Sequence, residues 1–276
     1  TICDSMGFQV NYLEGQGPTF ETAVLSNKAL DHCQDIDIKQ RMSYVAKTIE
    51  MVAKDIGHTT PIIGFAGSPW TVACYMVNGH ATRDFLQIRK VLAAQPSFMK
   101  KLIDLLTRYT IDYLAMQIEA GVSAIMLFDT WGNIIPSYAM PAMSLTPLKT
   151  IVSNLRQQYP HIPTIIYSRA INCFTNEFAQ LGCTALGVDW TTHLPTIRRH
   201  VGSTMSIQGN LDPAVLLTNP STVKKMTLAM LADAGHTPGY IANLGHGIHK
   251  DTPIENVESF INTVHEFLRD KRKVPL

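Results

Sequence analysis

Short apolar runs and segments with helical periodicity alternate along the chain from residue 62 onward. Six apolar runs predict strands, at residues 62–65, 124–130, 163–169, 185–190, 204–210 and 240–247. Each run is followed by a segment with apolar residues at helical spacing, which predicts a helix after every strand. This alternation is typical of a parallel sheet, and it favours a (β/α) barrel over the alternative, a doubly wound sheet.

The expected fold is therefore α/β, a (β/α)8 TIM-like barrel that forms a single domain over residues 1–276. An accessory hairpin is expected near residues 8–20, where glycines and a proline interrupt a weak alternation. Six strands are two short of a complete barrel, and we expect at least one of the two to precede Thr1. The first residues contain neither Met nor a leader pattern, which fits a barrel incomplete at the N-terminus.

The chain is organised around the junction that follows the first of these strands. A helix is predicted before that strand, over residues 37–56, with Gly57 as its C-terminal stop. After the strand, we expect Gly67 to take the positive φ of a sharp turn, Ser68 to cap the next helix and Pro69 to occupy its first position. Such a junction directs backbone N–H groups toward the C-terminal end of the strand, where α/β proteins usually build their sites.

Composition and charge narrow the class of function. Of the 276 residues, 46% are hydrophobic and 16% charged, which is enough apolar material for one sizeable core. The net charge of +1 indicates no nucleic-acid-binding surface. No apolar run approaches the roughly 18 residues of a membrane span, so no membrane partner is expected either. Five scattered cysteines without CxxC spacing favour reduced thiols in a cytosolic protein.

Polar or small residues stand at the predicted ends of the strands, which a parallel sheet would bring to one mouth. They are Gly67-Ser68, Asp129-Thr130, Ser168-Arg169, Asp189-Trp190, Gly209-Asn210 and Gly245-His246. His246 suits either carboxylate binding or a purely structural role in its loop, and Asp129 and Asp189 suit either acid–base chemistry or helix capping. Asp212 is interpreted as a helix cap. The sequence has no HExxH, HxC, GxSxG or P-loop motif, so no metal site is predicted.

Five longer motifs are more specific: GFAGSPWTVACYMVNG (64–79), FDTWGN (128–133), GVDWT (187–191), QGNLDP (208–213) and NLGHGI (243–248). In this order they resemble the uroporphyrinogen decarboxylase family of haem biosynthesis, and the match extends from residue 15 to residue 267. The resemblance implies a TIM-like barrel, a homodimer, a cytoplasmic location and no cofactor. It also implies a tetrapyrrole substrate, uroporphyrinogen III, whose four acetate side chains lose carbon dioxide and become the methyl groups of coproporphyrinogen III.

The resemblance carries three substrate-binding residues over to this chain. Tyr75 matches the substrate-contacting tyrosine of the family, Thr130 the hydroxyl residue after its FD or FE pair, and His246 the histidine of its NLGHG motif. We expect Tyr75 and His246 to bond carboxylates or assist proton transfer, and Thr130 to be a hydrogen-bond partner. The family's catalytic aspartate would lie before Thr1, so no catalytic residue is assigned.

The sequence also departs from the family. The arginine-rich RQAGRY stretch and the FSD aspartate of the family are not present, and Asp4 aligns after that aspartate and does not replace it. Arginine suits bidentate carboxylate binding, so a chain without this clamp is expected to bind an eight-carboxylate substrate poorly. Asn133 and the segment 169–172 also differ from the residues usual in the family, which predicts differently shaped loops.

Two alternatives remain open on the sequence alone. One is a non-catalytic remnant that only binds porphyrinogen or pairs with another subunit. The other is a barrel methyltransferase of the corrinoid or cobalamin-independent methionine synthase type, against which the missing zinc ligands count.

Overall fold

The computed structural model describes residues 2–13, 17–20, 23–33, 36–80, 82, 84–235 and 238–272. Its backbone contacts divide the chain into two compact units, and each is described by itself. The first unit comprises Thr1–Ala170 and Leu181–Cys183, and the second comprises Ile171–Gln180 and Thr184–Leu276. The expectation of a single domain over residues 1–276 stays a prediction.

The first unit opens with short elements and continues with strands that alternate with helices. Helix α1 (Ile2–Ser5) precedes strands β1 (Val10–Leu13) and β2 (Gly17–Phe20), which pair antiparallel; residues 14–16 of the expected hairpin lie outside the described residues. The elements that follow are α2 (Ile38–Arg41), α3 (Ser43–Ile56), β3 (Ile63–Gly67), α4 (Pro69–Asn78), α5 (Leu86–Ala94), α6 (Pro96–Glu119), β4 (Ala124–Asp129), α7 (Thr146–Gln158) and β5 (Thr164–Ser168).

Strands β3, β4 and β5 form a parallel sheet whose C-terminal ends are level. Gly67 lies opposite Phe128, and Asp129 lies opposite Ser168. The Ser68 N–H continues the ladder by donating to the Phe128 carbonyl at 2.9 Å. Every residue of β5 is buried. The register therefore brings the ends of three consecutive strands to one edge of the sheet.

The junction between β3 and α4 agrees with the sequence prediction except at Gly67. Ser68 caps α4 by accepting from the Thr71 N–H, Pro69 occupies the first turn, and Gly79 ends the helix in the left-handed conformation with φ 80°. The prediction of a positive φ at Gly67 is wrong. Gly67 is the last residue of the strand, and the chain turns at Ser68 with φ −62° and ψ 156°, a conformation open to any residue.

The helix predicted over residues 37–56 is present but interrupted. Asp37 caps α2 by accepting from the Gln40 N–H, the chain breaks at Met42, and α3 runs from Ser43 to Ile56. The Met42 side chain is buried. The apolar periodicity continues through the break, which is why the sequence pattern alone predicted one helix.

The second unit repeats the alternation of strands and helices. Its elements are α8 (Thr175–Ala179), β6 (Ala185–Gly187), α9 (Leu194–Val201), β7 (Ser206–Leu211), α10 (Pro220–Ala234), β8 (Tyr240–Leu244) and α11 (Ile254–Arg272). Strand β7 pairs parallel with both neighbours, with Gln208 opposite Gly187 and Ile241. The six predicted strands of parallel type, each followed by a helix, are therefore confirmed. Across the described parts of the chain, no helix combines the length and apolarity that crossing a membrane requires.

Candidate functional site

Three serine hydroxyls surround one buried carboxylate at the strand ends of the first unit. Asp129, the last residue of β4, is 0% exposed. Its Oδ1 accepts from Ser68 Oγ at 2.6 Å, and its Oδ2 accepts from Ser144 Oγ at 2.9 Å and Ser168 Oγ at 3.0 Å. Ser68 follows β3, Ser168 ends β5, and Ser144 lies in the loop after β4. The carboxylate cluster, as we call these four residues, ties that loop to the ends of three strands.

The hydrogen-bond directions in the carboxylate cluster are fixed by the backbone. Ser68 Oγ accepts from the Thr71 N–H at 3.1 Å, and Ser168 Oγ accepts from the Ala170 N–H at 3.1 Å, so both hydroxyl protons are directed to Asp129. Burial raises the pKa of the Asp129 carboxyl above its usual value, and the three hydroxyls oppose that shift by stabilising the ionised form. Asp129 is thus held as an acceptor, and none of its oxygens reaches solvent.

The loop after β4 packs tightly against the carboxylate cluster. Gly132 is buried, and a Cβ atom at this position would lie closer than 3.0 Å to both Asp129 Oδ2 and Ser168 Oγ. Only a glycine leaves room for these oxygens. The close approach fixes the start of the loop relative to the strand ends.

Tyr75 and Trp131 meet beside this loop. Trp131 Nε1 donates to Tyr75 Oη at 3.2 Å, and the Trp131 carbonyl accepts from Trp70 Nε1 at 3.0 Å. The Trp131 N–H donates to Thr71 Oγ1 at 3.4 Å. The buried Phe85 ring packs against both partners, with its centroid 5.7 Å from Tyr75 and 4.6 Å from Trp131. The aromatic contacts hold Tyr75 half-buried, with its hydroxyl at a defined place.

Thr130 lies between the carboxylate cluster and this aromatic group. It follows Asp129 directly, precedes Trp131 and is half-buried. Within the described ranges, its hydroxyl has no hydrogen-bond partner. The structure therefore brings the Tyr75 and Thr130 hydroxyl groups to the region around the loop after β4 in the first unit, and the Tyr75 hydroxyl there already accepts one hydrogen bond, from Trp131 Nε1.

His246 lies at the strand ends of the second unit. It is exposed, and its ring packs against Trp190 with 6.2 Å between the ring centroids. The Gly247 N–H donates to Nδ1 at 2.6 Å, which assigns the proton of the neutral ring to Nε2 and makes that atom a donor. A Cβ atom at Gly245 would collide with the Trp190 backbone, so the Gly245-His246 segment requires glycine at its first position.

The other polar strand ends of the second unit serve the local backbone. Asp189 Oδ1 accepts from the Thr191 N–H at 3.0 Å and from the Thr191 hydroxyl at 2.6 Å. Asn210 Nδ2 donates to the Asp189 and Thr192 carbonyls at 2.8 and 2.7 Å. Asp212 accepts from the Ala214 N–H at 2.9 Å, which confirms its interpretation as a helix cap.

Sequence reasoning missed two residues of the site. Ser144 lies 15 residues after Asp129, in a π-helical turn (Pro141–Leu145) that leads directly into α7, and no periodic signal connects it with the strand end. The role of Trp131 as a donor to Tyr75 also depends on tertiary packing across 56 residues of chain. In the part of the chain that the structure describes, no group of three or more His, Cys, Asp or Glu side chains is placed to hold a metal ion.

Comparison with known proteins decides the family. The model of the family described as "Uroporphyrinogen decarboxylase (URO-D)" matches residues 1–267. The chain belongs to the uroporphyrinogen decarboxylase family. Uroporphyrinogen decarboxylase from Legionella pneumophila (strain Corby) is 40% identical over 266 residues, which cover 96% of this chain and 76% of that protein. The Coxiella burnetii (strain Dugway 5J108-111) enzyme is 38% identical over 269 residues, which cover 97% of this chain and 74% of that protein.

Solved structures support the fold of this uroporphyrinogen decarboxylase family member. A methyltransferase from Methanosarcina mazei superposes with a TM-score of 0.76 and 17% identity, covering 97% of this chain and 77% of that one. A B12-independent methionine synthase from Shewanella sp. W3-18-1 gives a TM-score of 0.58 and 10% identity, covering 95% of this chain and 76% of that one. At these identities the likeness shows the fold alone. The expected α/β barrel class of TIM type is confirmed.

Proposed function

We propose that this chain decarboxylates uroporphyrinogen III to coproporphyrinogen III, with Tyr75, Thr130 and His246 as substrate-binding residues. The reaction follows from membership of the uroporphyrinogen decarboxylase family, and the observation that carries it is the family match over residues 1–267. Curated uroporphyrinogen decarboxylases at 34–40% identity agree with it. The chain is therefore a carboxy-lyase of porphyrin biosynthesis. The methyltransferase alternative has only a likeness of fold in its support.

The substrate itself can supply the electron sink for this reaction. Protonation of a pyrrole carbon next to an acetate-bearing carbon makes the ring electron-deficient. The bond between the acetate methylene carbon and its carboxylate then breaks, and carbon dioxide leaves. The electron pair of the broken bond forms a double bond to the ring carbon, which gives an exocyclic methylene group. Protonation of the methylene gives the methyl group, and loss of the ring proton restores the pyrrole. Each acetate thus consumes one proton and releases one carbon dioxide. The protein must hold the macrocycle and place polar groups for these proton transfers.

The donors of the candidate site suit the anionic side chains of this substrate. Tyr75 and Thr130 each offer a hydroxyl group beside the loop after β4, and His246 presents its imidazole ring from an exposed loop of the second unit. Hydrogen bonds to a carboxylate are charge-assisted and are about twice as strong as neutral ones. We propose that these groups bind acetate or propionate carboxylates and orient one acetate for decarboxylation.

Variants of Tyr75 and His246 test this assignment in the protein at its natural length. Tyr75→Phe and His246→Asn should each slow decarboxylation of freshly reduced uroporphyrinogen III and leave the melting temperature close to that of the parent. Tyr138→Phe and His58→Asn remove the same groups from exposed positions and should leave turnover unchanged. Parental turnover in both site variants would refute the assignment.

Assembly and location are proposed from the family resemblance alone. We propose a homodimer in the cytoplasm. Light scattering coupled to size-exclusion chromatography should give twice the mass of one chain, and a monomer mass across the working concentration range would contradict the dimer.

A further inference from the structure

We propose that Trp131 is a positioning residue that fixes the hydrogen-bond direction of Tyr75, so that the phenol proton is offered to a substrate carboxylate. The proposal rests on the proposed function, because it assumes that Tyr75 binds substrate. Trp131 is not one of the three substrate-binding residues proposed above, and it acts on the substrate only through the Tyr75 hydroxyl.

The argument begins with the chemistry of the indole group. An indole N–H can only donate a hydrogen bond, whereas a phenol can both donate and accept. Trp131 Nε1 lies 3.2 Å from Tyr75 Oη, so the phenol oxygen is the acceptor in this pair. The phenol's own proton must then point elsewhere. Among the residues that the structure describes, Tyr75 Oη has no acceptor for that proton. A bound carboxylate can accept it, since an ionised carboxylate offers only lone pairs.

Trp131 can impose this direction because its own position is fixed. Its backbone carbonyl accepts from Trp70 Nε1 at 3.0 Å, and Trp70 is fully buried in the first turn of α4. Its ring packs on Phe85 at a centroid distance of 4.6 Å. Phe85 has a left-handed backbone with φ 46°, a conformation that is strained for an aromatic residue and persists only when the surroundings require it. Phe85 thus packs against the rings of both Tyr75 and Trp131 and restricts their movement.

The carboxylate cluster extends the constraint to the sheet. Trp131 is two residues after Asp129, whose oxygens accept from Ser68, Ser144 and Ser168. Ser68 also caps α4, the helix that carries Tyr75. Both partners of the Trp131–Tyr75 hydrogen bond are therefore anchored to the same buried group. The distance between them is determined by packing, before any ligand arrives.

The test replaces the donor and keeps the ring. In the protein at its natural length, Trp131→Phe retains an aromatic contact with Phe85 and removes the N–H. We expect kcat/KM for uroporphyrinogen III to fall about 5- to 10-fold, as for one lost hydrogen bond. In a Tyr75→Phe background the same change should alter kcat/KM less than about 2-fold, because the hydroxyl that Trp131 directs is already gone. Tyr138→Phe is the exposed control.

The outcomes separate this proposal from the proposed function. Parental kcat/KM in Trp131→Phe together with a slowed Tyr75→Phe would overturn the positioning role alone. Additive effects in the double variant would also overturn it, since a purely structural role of Trp131 does not depend on the Tyr75 hydroxyl. Parental turnover in Tyr75→Phe would overturn both. If Trp131→Phe fails to fold, benzothienylalanine at position 131 keeps the shape of indole, replaces only the N–H and should give the same coupling.

Discussion

Gly132→Ala probes the close packing between the loop after β4 and the carboxylate cluster. The added methyl group would lie closer than 3.0 Å to Asp129 Oδ2 and Ser168 Oγ, a separation that real Cβ atoms do not show. Both oxygens are buried and hydrogen-bonded, so neither can move into open space. Either the carboxylate cluster must break or the loop must move away from it.

The magnitudes decide which of the two gives way. Moving Asp129 Oδ2 would lose its bonds from Ser144 and Ser168, and a hydrogen bond to a charged group is worth about 1.5–3 kcal/mol. Moving the loop would lose neutral bonds of Trp131, which are worth about 0.5–1.5 kcal/mol each, and one of them is long at 3.4 Å. We therefore expect the loop to move, at a loss of about 2–3 kcal/mol in the free energy of unfolding, which lies in the range for overpacked cores.

Thermal unfolding followed by far-UV circular dichroism measures this loss. At about 2–4 °C per kcal/mol, the melting temperature of Gly132→Ala should fall by about 4–12 °C. Gly247→Ala is the matched control, because nothing lies within 4 Å of a Cβ atom at that position. Since the displaced loop carries Trp131 away from Tyr75, kcat/KM should fall as well. A Gly132→Ala protein with the melting temperature of the Gly247→Ala control would refute the packing argument.

Two further predictions concern the buried charge and the second unit. Burial raises the pKa of the Asp129 carboxyl above 3.8, so the folded state keeps this proton at a higher pH than the unfolded state does. The stability of the parent relative to Asp129→Asn should therefore fall as the pH rises through that raised pKa. A difference in urea unfolding between the two proteins that does not change with pH would contradict this. Arg198 donates hydrogen bonds to the carbonyls of Gly202, Met205 and Gly239 at 2.9–3.0 Å. Arg198→Lys should therefore lower the free energy of unfolding in urea by about 1–3 kcal/mol, whereas Arg199→Lys, at an exposed position, should leave it unchanged. Equal stability of the two variants would contradict the role of the Arg198 guanidinium group.

The sequence predicted the local features of the fold well because they depend on neighbouring residues. The Ser68-Pro69 helix start and the Gly79 stop need only a few adjacent positions, and the order of six parallel strands follows from apolar runs and helical periodicity. The break at Met42 was missed because the apolar pattern runs through it. Gly67 was misassigned because a serine in extended conformation makes the turn without any special φ.

The candidate site was predictable only in part. The expectation that residues at the C-terminal ends of parallel strands lie close together identified Ser68, Asp129 and Ser168 as neighbours, because equivalent positions on parallel strands must come together. The same expectation could not show that Asp129 is enclosed by hydroxyl groups, since Ser144 reaches it from a π-helical turn whose position depends on tertiary packing. Nor could it show the direction of the hydrogen bond between Trp131 and Tyr75, which depends on how a loop docks on a helix.

Product analysis is the measurement that tests the central claim most directly. Freshly reduced uroporphyrinogen III would be incubated with the protein at its natural length, and the products oxidised and separated by their number of carboxylates. The account predicts stepwise loss of carboxylates that ends at the four-carboxylate product, coproporphyrinogen III, with every step slowed in Tyr75→Phe. A folded protein that leaves the eight-carboxylate substrate unchanged would contradict the account, and the non-catalytic alternative would then be the better description.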